Sequence, residues 1–273
     1  EPGVFGLHYL GHLGAAIQTL ATAALKQAST TVSFPSKATQ AYYESFSPKE
    51  NHRIQVGWTD LDRLLPDDIK HTRKATRDSL KLADDEHLII NVGTLCPRKG
   101  QLYFINAIEH MWRTQPELAV KCCFMLIGAD DGDYGEMLSA QVEDMHRSNI
   151  IIQPATPRIG DYFSAADLFV LTSFEEGFPR VLLEAMGFAL PIISTDIHAI
   201  PEIVRDGKEA LLVPPGNSEA LEEKMRQLLE DPQFARQLGS GAQQRVRANF
   251  TAERVLPIHL KTILDLVPDL APN

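Results

Sequence analysis

Two carboxylates, Glu176 and Glu184, stand beside an apolar run in the stretch SFEEGFPRVLLEAMGFALPIIST, residues 173–195. An ionised carboxylate only accepts hydrogen bonds, and its paired oxygens suit hydroxyl groups, a vicinal diol above all. Glu176 falls in a Gly/Pro turn after an apolar strand pattern. Gly177 lets backbone and ligand approach closely, and Pro179 suits the first position of a helix. Glu184 then lies about one and a half turns into that helix, its side chain leaning toward the N-terminus. Both acids can therefore face one pocket, the first toward sugar hydroxyls and the second toward a ribose. A plainer reading competes: Glu176 as a capping acid, and Glu184 as a core-edge residue paired with Arg180 or another cation.

A second turn, Gly93-Thr94-Leu-Cys-Pro-Arg98-Lys99-Gly100, offers the opposite charge. Backbone N–H groups at a helix start favour an anion, and adjacent cations add charge-assisted bonds. The spacing is not that of a phosphate-binding P-loop, and solvated basic residues would look the same. Gly128–Gly135 lacks the G-x-G-x-x-G spacing. Its Asp131 and Asp133 fall short of a metal ligand set, so no metal site is expected. It reads as a solvated loop that caps the next helix.

These turns need elements to hold them. Short, nearly continuous apolar runs predict strands at Leu88–Val92, Lys121–Ile127, Asn149–Gln153, Asp167–Thr172, Pro191–Thr195 and Ala210–Val213. That is how strands buried on both faces read. Between them, Phe104, Ala107, Ile108 and Met111 share one helical face. Met137, Val142 and Met145 suggest a second helix, and Leu221, Met225, Leu228 and Leu229 a third. The alternation predicts an α/β fold with an open parallel sheet. Ligands bind such sheets at the carboxyl ends of the strands, where the turns lie.

Residues 1–80 read differently and hold too little for an independent doubly wound domain. They contain a helix through Leu13, Ile17, Leu20 and Leu25, strands at Thr31–Phe34 and Arg53–Val56, and a helix opened by Ser36. Residues 60–85 are polar and read as a linker or hinge. A terminal helix over Phe250–Leu266 is expected to start or break near Pro257.

Composition narrows the function. The 26 basic against 36 acidic residues give a formal charge of −10, which disfavours non-specific nucleic-acid binding. Cys96, Cys122 and Cys123 form neither a disulfide framework nor a zinc signature. Asn249-Phe-Thr251 fits a sequon, but no signal peptide or membrane span accompanies it. The sequence opens on Glu1 rather than Met, and is expected to be part of a longer chain.

Residues 85–250 resemble the donor-binding domain of family-4 glycosyltransferases, retaining enzymes of the GT-B fold. The resemblance rests on EEGFPRVLLEAMGFALPIISTD with its E-x7-E pair, NVGTLCPRKGQ, AADLFVLTS and IPEIVRDGKEALLVPPG, in the family's order. It implies a partial N-terminal segment over 1–80, a Rossmann-like donor domain over 81–250 and a helix over 251–273 that packs back on the N-terminal part. It also implies a cytoplasmic transferase, in a family where peripheral membrane attachment is common, that needs neither metal nor cofactor. The donor would be a nucleotide-diphosphate sugar; the acceptor stays open.

By the same resemblance, Lys99 would hold the diphosphate and Glu176 the transferred sugar, with Gly177, Phe178 and Pro179 beside it. Glu184 would hold the ribose, Gly93 and Thr94 would flank the phosphates, and Thr156, Arg158 and Ile159 would frame the base. Three positions depart from the family pattern. Thr94 replaces an Arg, a loss that the neighbouring Arg98 is expected to cover. Ala189 stands where Gly is usual, and His198-Ala199 replaces Gly-Gly. His8 and His12 lie near the region of a family His but align with it poorly. Two rivals remain: a nucleotide-sugar-binding piece that needs a complete N-terminal domain or a partner, and a GT-B sugar-nucleotide epimerase. An NAD-linked dehydrogenase lacks the glycine fingerprint.

Overall fold

The computed structural model describes residues 32–43, 52–130 and 132–266. His8, His12, Asp131 and the helix expected through Leu13–Leu25 lie outside them. The chain divides into two compact units, Trp58–Val255 and the remainder. In the smaller one, β1 (Val32–Phe34) pairs in parallel with β2 (His52–Ile54), and α1 (Lys37–Tyr43) follows β1. Ser36 opens α1 as its sequence suggests, accepting from the Thr39 N–H at 3.0 Å.

The larger unit is built on a six-stranded sheet. Its strands are β3 (His87–Val92), β4 (Cys122–Gly128), β5 (Ile150–Pro154), β6 (Leu168–Leu171), β7 (Ile192–Thr195) and β8 (Leu211–Val213). They run parallel in the order β5-β4-β3-β6-β7-β8. Each predicted strand is present within a residue or two of its expected ends. Leu88, Ile89, Ile90, Phe124, Met125, Leu126, Phe169, Val170, Ile192 and Ile193 are all but sealed from solvent. Each such side chain contributes about 1.5–3 kcal/mol by burial, so the sheet itself anchors the unit.

The strand order reverses direction between β3 and β6. These strands pair only through Ile89–Leu168 and Ile90–Phe169. Beyond that point the buried Asn91 bridges them, its Nδ2 donating to the Val170 carbonyl at 3.0 Å and to Thr172 Oγ1 at 3.3 Å. Strands that part at the reversal open a crevice at their carboxyl ends.

Residues 60–85 are not a linker. They form α2 (Leu61–Leu64) and α3 (Ile69–Ser79), capped by Asp60 and Asp68 through the Arg63 and His71 N–H groups. The anchors are arginines, which is why the segment reads as polar. On α3, Arg73 and Arg77 share one face. Arg73 donates to the Ala165 and Ala166 carbonyls at 2.7 and 2.8 Å, and both guanidinium groups hold Asp167. The short helix α2 sits on glycines. A Cβ at Gly187 would meet Leu61 Cδ2 at 2.3 Å, and one at Gly160 would meet the Leu64 carbonyl oxygen at 2.5 Å.

Among the sheet-covering helices, α4 (Gln101–Thr114) buries Phe104, Ala107, Ile108 and Met111, as predicted. After the short α5 (Pro116–Ala119) and β4 comes α6 (Asp133–Asp144). Val142 and Met145 pack on the core as expected, but this helix turns Leu138 inward and leaves Met137 41% exposed. Its N-cap is Gly132, without a side-chain capping bond. Asp130 instead accepts from the Gly132 N–H at 3.1 Å.

The helices α7 (Ile159–Ala165), α8 (Arg180–Gly187), α9 (Ile200–Ile203), α10 (Ser218–Glu230) and α11 (Pro232–Asn249) complete the unit. Leu221, Met225, Leu228 and Leu229 of α10 face the core, as expected. The last helix, α12 (Ala252–Leu266), begins before Pro257 and carries it inside. Among the described residues no helix is long and apolar enough to cross a membrane, and no cluster of His, Cys, Asp or Glu could hold a metal.

Candidate functional site

A cleft of about 600 Å³ opens at the carboxyl ends of the strands, at the reversal of strand order. The turns after β3, β4, β5 and β6 supply its walls, and α8 closes one side. Of the sequence-predicted residues, Gly93, Thr94, Arg98, Lys99, Thr156, Ile159, Glu176, Phe178, Pro179 and Glu184 line it. Two do not. Gly177 lies in the same turn as Glu176 without reaching the cleft wall. Arg158 lines a neighbouring polar cleft, where it pairs with Asp161 at 2.6 Å. An ion partner three residues along its own helix start draws that side chain aside.

At the centre, Lys99 Nζ lies 2.5 Å from Glu176 Oε1. Their side chains are 14% and 6% exposed, so the pair is shielded from solvent. Ser173 Oγ donates to the same Glu176 oxygen at 2.6 Å. These contacts come from the splayed strands. The short 3-10 turn Pro97–Lys99 follows β3, while Ser173 and Glu176 follow β6.

The two turns are laced together. The Phe174 N–H donates to the Arg98 carbonyl at 2.8 Å, Arg98 Nη1 to the Glu175 carbonyl at 3.1 Å, and Thr172 Oγ1 to the Lys99 carbonyl at 3.0 Å. Gly100 makes this fit possible. Its φ is +65°, and a Cβ there would meet the Thr172 carbonyl oxygen at 2.2 Å. Arg98 is thus a brace for the acidic turn as well as a cation on the cleft wall.

Glu184 stands apart. Among the described residues no hydrogen bond reaches its carboxylate. Burial raises its pKa above the ordinary carboxylate value, and the Arg180 charge only partly opposes this. The helix that carries it starts at Pro179 with no side-chain cap, leaving its first N–H groups available.

The sequence reading missed Gly128 at the end of β4, Ala129 after it, Ala155 after β5, and Arg180 and Val181 on α8. Gly128 carried a usable signal, being a glycine at the end of a buried strand. A Cβ there would meet the Gly93 carbonyl oxygen at 1.9 Å. The β3 and β4 turns therefore close to backbone contact and form one wall.

Two departures from the family pattern fall on left-handed backbone. Ala189 has φ +55° and His198 φ +43°. Glycine adopts that region without strain, whereas an L side chain costs about 1–2 kcal/mol. Ala189 lies just past the end of α8, a usual place for a left-handed terminator. His198 lies beside the site, where the Glu176 N–H donates to its Nδ1 at 3.4 Å.

The family model described as glycosyl transferases group 1 matches residues 72–245. The chain is 28% identical to a D-inositol 3-phosphate glycosyltransferase of Streptomyces bingchenggensis over 193 residues, which are 67% of this chain and 41% of that protein. It is 30% identical to TuaC of Bacillus subtilis, a putative teichuronic acid biosynthesis glycosyltransferase, over 67% of this chain and 43% of that one. It spans less than half the length of these curated relatives. In fold it matches HepE of Anabaena, solved in complex with UDP and glucose, with a TM-score of 0.77 and 22% identity over 86% of this chain and 62% of that one. By its matched motifs and its reversing parallel sheet, this chain belongs to the group 1 glycosyltransferases, enzymes of the GT-B fold.

Proposed function

We propose that this chain is the donor-binding part of a retaining glycosyltransferase, which moves a sugar from a nucleotide diphosphate to an acceptor hydroxyl. One observation carries the reading. Lys99, Glu176 and Glu184, from two separated turns and a helix, line a single cleft at the reversal of the sheet. Among the described residues the half-buried Glu184 has no hydrogen-bond donor, and a ribose diol supplies two. The N–H groups at the start of α8 and the Thr94 N–H suit phosphate oxygens, the Gly93 N–H being held by the Ile127 carbonyl at 2.9 Å.

In this reading Lys99 exchanges its partner when the donor arrives. Its ammonium passes from Glu176 to the diphosphate, and Glu176 accepts from the sugar hydroxyls. As the bond from the sugar to the diphosphate breaks, negative charge grows on the leaving oxygen. Lys99, Arg98 and the backbone N–H groups offset that charge, a role that elsewhere falls to a divalent metal. Glu176 and Glu184 orient the donor rather than transfer a proton. Thr156 and Ile159 sit where the base would lie, held mainly by backbone. HepE, a protein of the same fold, was solved with UDP and glucose bound, which puts UDP-glucose first among the donors to try.

Titration calorimetry with UDP-glucose, GDP-mannose and ADP-glucose tests this on the 273-residue chain. At least one should bind, and Lys99→Ala and Glu184→Ala should each weaken it by roughly 10–100-fold, the range for charge-assisted bonds. Failure of the wild-type chain to bind any nucleotide sugar, or unchanged affinity in both variants, would overturn the reading.

A further inference from the structure

We propose that His198 is a positioning residue for Glu176, fixing the backbone from which that carboxylate reaches the donor. The proposal rests on the donor-site reading for its functional consequence, and on local geometry for its substance. His198 occupies left-handed backbone at φ +43°, where a side chain is strained and glycine is not. The ring pairs with the acidic turn, since the Glu176 N–H donates to His198 Nδ1 at 3.4 Å. An Nδ1 that accepts places the ring proton on Nε2.

The tie does not stand alone. Thr195, at the end of β7 and just ahead of His198, donates from Oγ1 to the Ser173 carbonyl at 2.7 Å. The end of β7 and the turn after it therefore grip the acidic turn at Ser173 and Glu176. At its other end Glu176 is held through its carboxylate by Lys99 and Ser173. Gly177 follows directly, and glycine permits the peptide beside it to rotate. Without an acceptor on its N–H, the Glu176 backbone can turn about that point and carry the carboxylate off its line.

Two substitutions separate a positioning role from an incidental one. His198→Gly relieves the left-handed backbone and removes the acceptor. His198→Asn keeps an acceptor oxygen on a residue that tolerates this region. The Gly variant should melt at the wild-type temperature or about 2 °C above it. It should nonetheless bind UDP-glucose roughly 3–10-fold more weakly, the worth of one hydrogen bond. The Asn variant should bind within about twofold of wild type by the same reasoning.

Amide hydrogen exchange gives a readout that needs no ligand. The Glu176 N–H should exchange faster in the Gly variant, while the Phe174 N–H, bonded to Arg98, keeps its rate. In the wild type, ¹⁵N shifts of the His198 ring should show an unprotonated Nδ1. Undiminished UDP-glucose affinity in the Gly variant, or an unchanged Glu176 exchange rate, overturns the proposal. If the wild-type chain binds no nucleotide sugar, the donor reading fails, and exchange with the ring ¹⁵N shifts still decides whether His198 holds Glu176.

Discussion

At the amino ends of β3 and β6, Asp167 receives Arg73 at 2.5 Å, Arg77 at 2.9 Å and the Leu88 N–H at 2.8 Å. The guanidinium groups spread their remaining protons over carbonyls, including those of Ala83, Glu86 and Ala165. At the carboxyl ends of the same strands, Lys99 meets Glu176, and Glu184 has only the nearby charge of Arg180. Both rims carry shielded charge, but among the described residues Asp167 at the first is held by three donors, whereas Glu184 at the second accepts no hydrogen bond. A closed network locks elements together; an open one keeps bonding capacity for something that is not protein. The difference agrees with the donor site proposed at the carboxyl rim and does not depend on any relative.

Variants can break this contrast, the largest effect first. Asp167→Ala strands two arginines, one of them 9% exposed at its side chain. The loss should be about 3 kcal/mol, at the low end for a buried pair because Asp167 is 23% exposed. The urea midpoint should fall accordingly, while folded protein still binds UDP-glucose with wild-type affinity. Lys99→Met leaves the buried Glu176 carboxylate without its cation, so its stability loss should be of similar size, about 3 kcal/mol, but here affinity should fall as well, by at least about tenfold. If Lys99→Met costs more stability than Asp167→Ala and leaves affinity intact, the two rims have been read the wrong way round.

Glu184→Gln gives the smallest and most diagnostic change. Burial lifts the folded-state pKa of Glu184 above its unfolded value. A carboxyl shifted that way stabilises the fold below its unfolded pKa and loses the contribution as pH rises through the folded one. At pH 7 the Gln variant should therefore melt above wild type, and the gap should close once pH falls below the ordinary carboxylate range. A gap that widens toward acid would show that Glu184 is stabilised by a partner after all. The same variant should bind UDP-glucose more weakly, which makes Glu184 a group retained at some expense of stability.

Legibility in the sequence followed physical lines. Strands buried on both faces must be apolar throughout, so β3 to β8 were plain. On α10, Leu221, Met225, Leu228 and Leu229 repeat at helical spacing and face the core. The α2 and α3 segment was missed because its anchors are arginines bonded to distant carbonyls, which composition scores as solvated. On the α6 stripe only Met137 was misplaced, because Met137 and Leu138 are adjacent and equally apolar, and only packing chooses between them. Gly177 was expected at the cleft from glycine's close approach as well as by motif, and Arg158 by motif. The structure turns Arg158 to Asp161, a preference set by local geometry that spacing does not carry.

What this sequence determined by itself was the alternating parallel sheet, the turns that would carry chemistry and the residue types within them. Hydrophobic periodicity and turn composition are local properties, readable over a few residues. The tertiary structure alone decided that Lys99 and Glu176, 77 residues apart, lie in contact, and that His198 bends through a strained conformation to reach the same turn. Those contacts depend on which strands become neighbours where the sheet reverses, and neighbour choice is a property of the whole packed unit rather than of any segment.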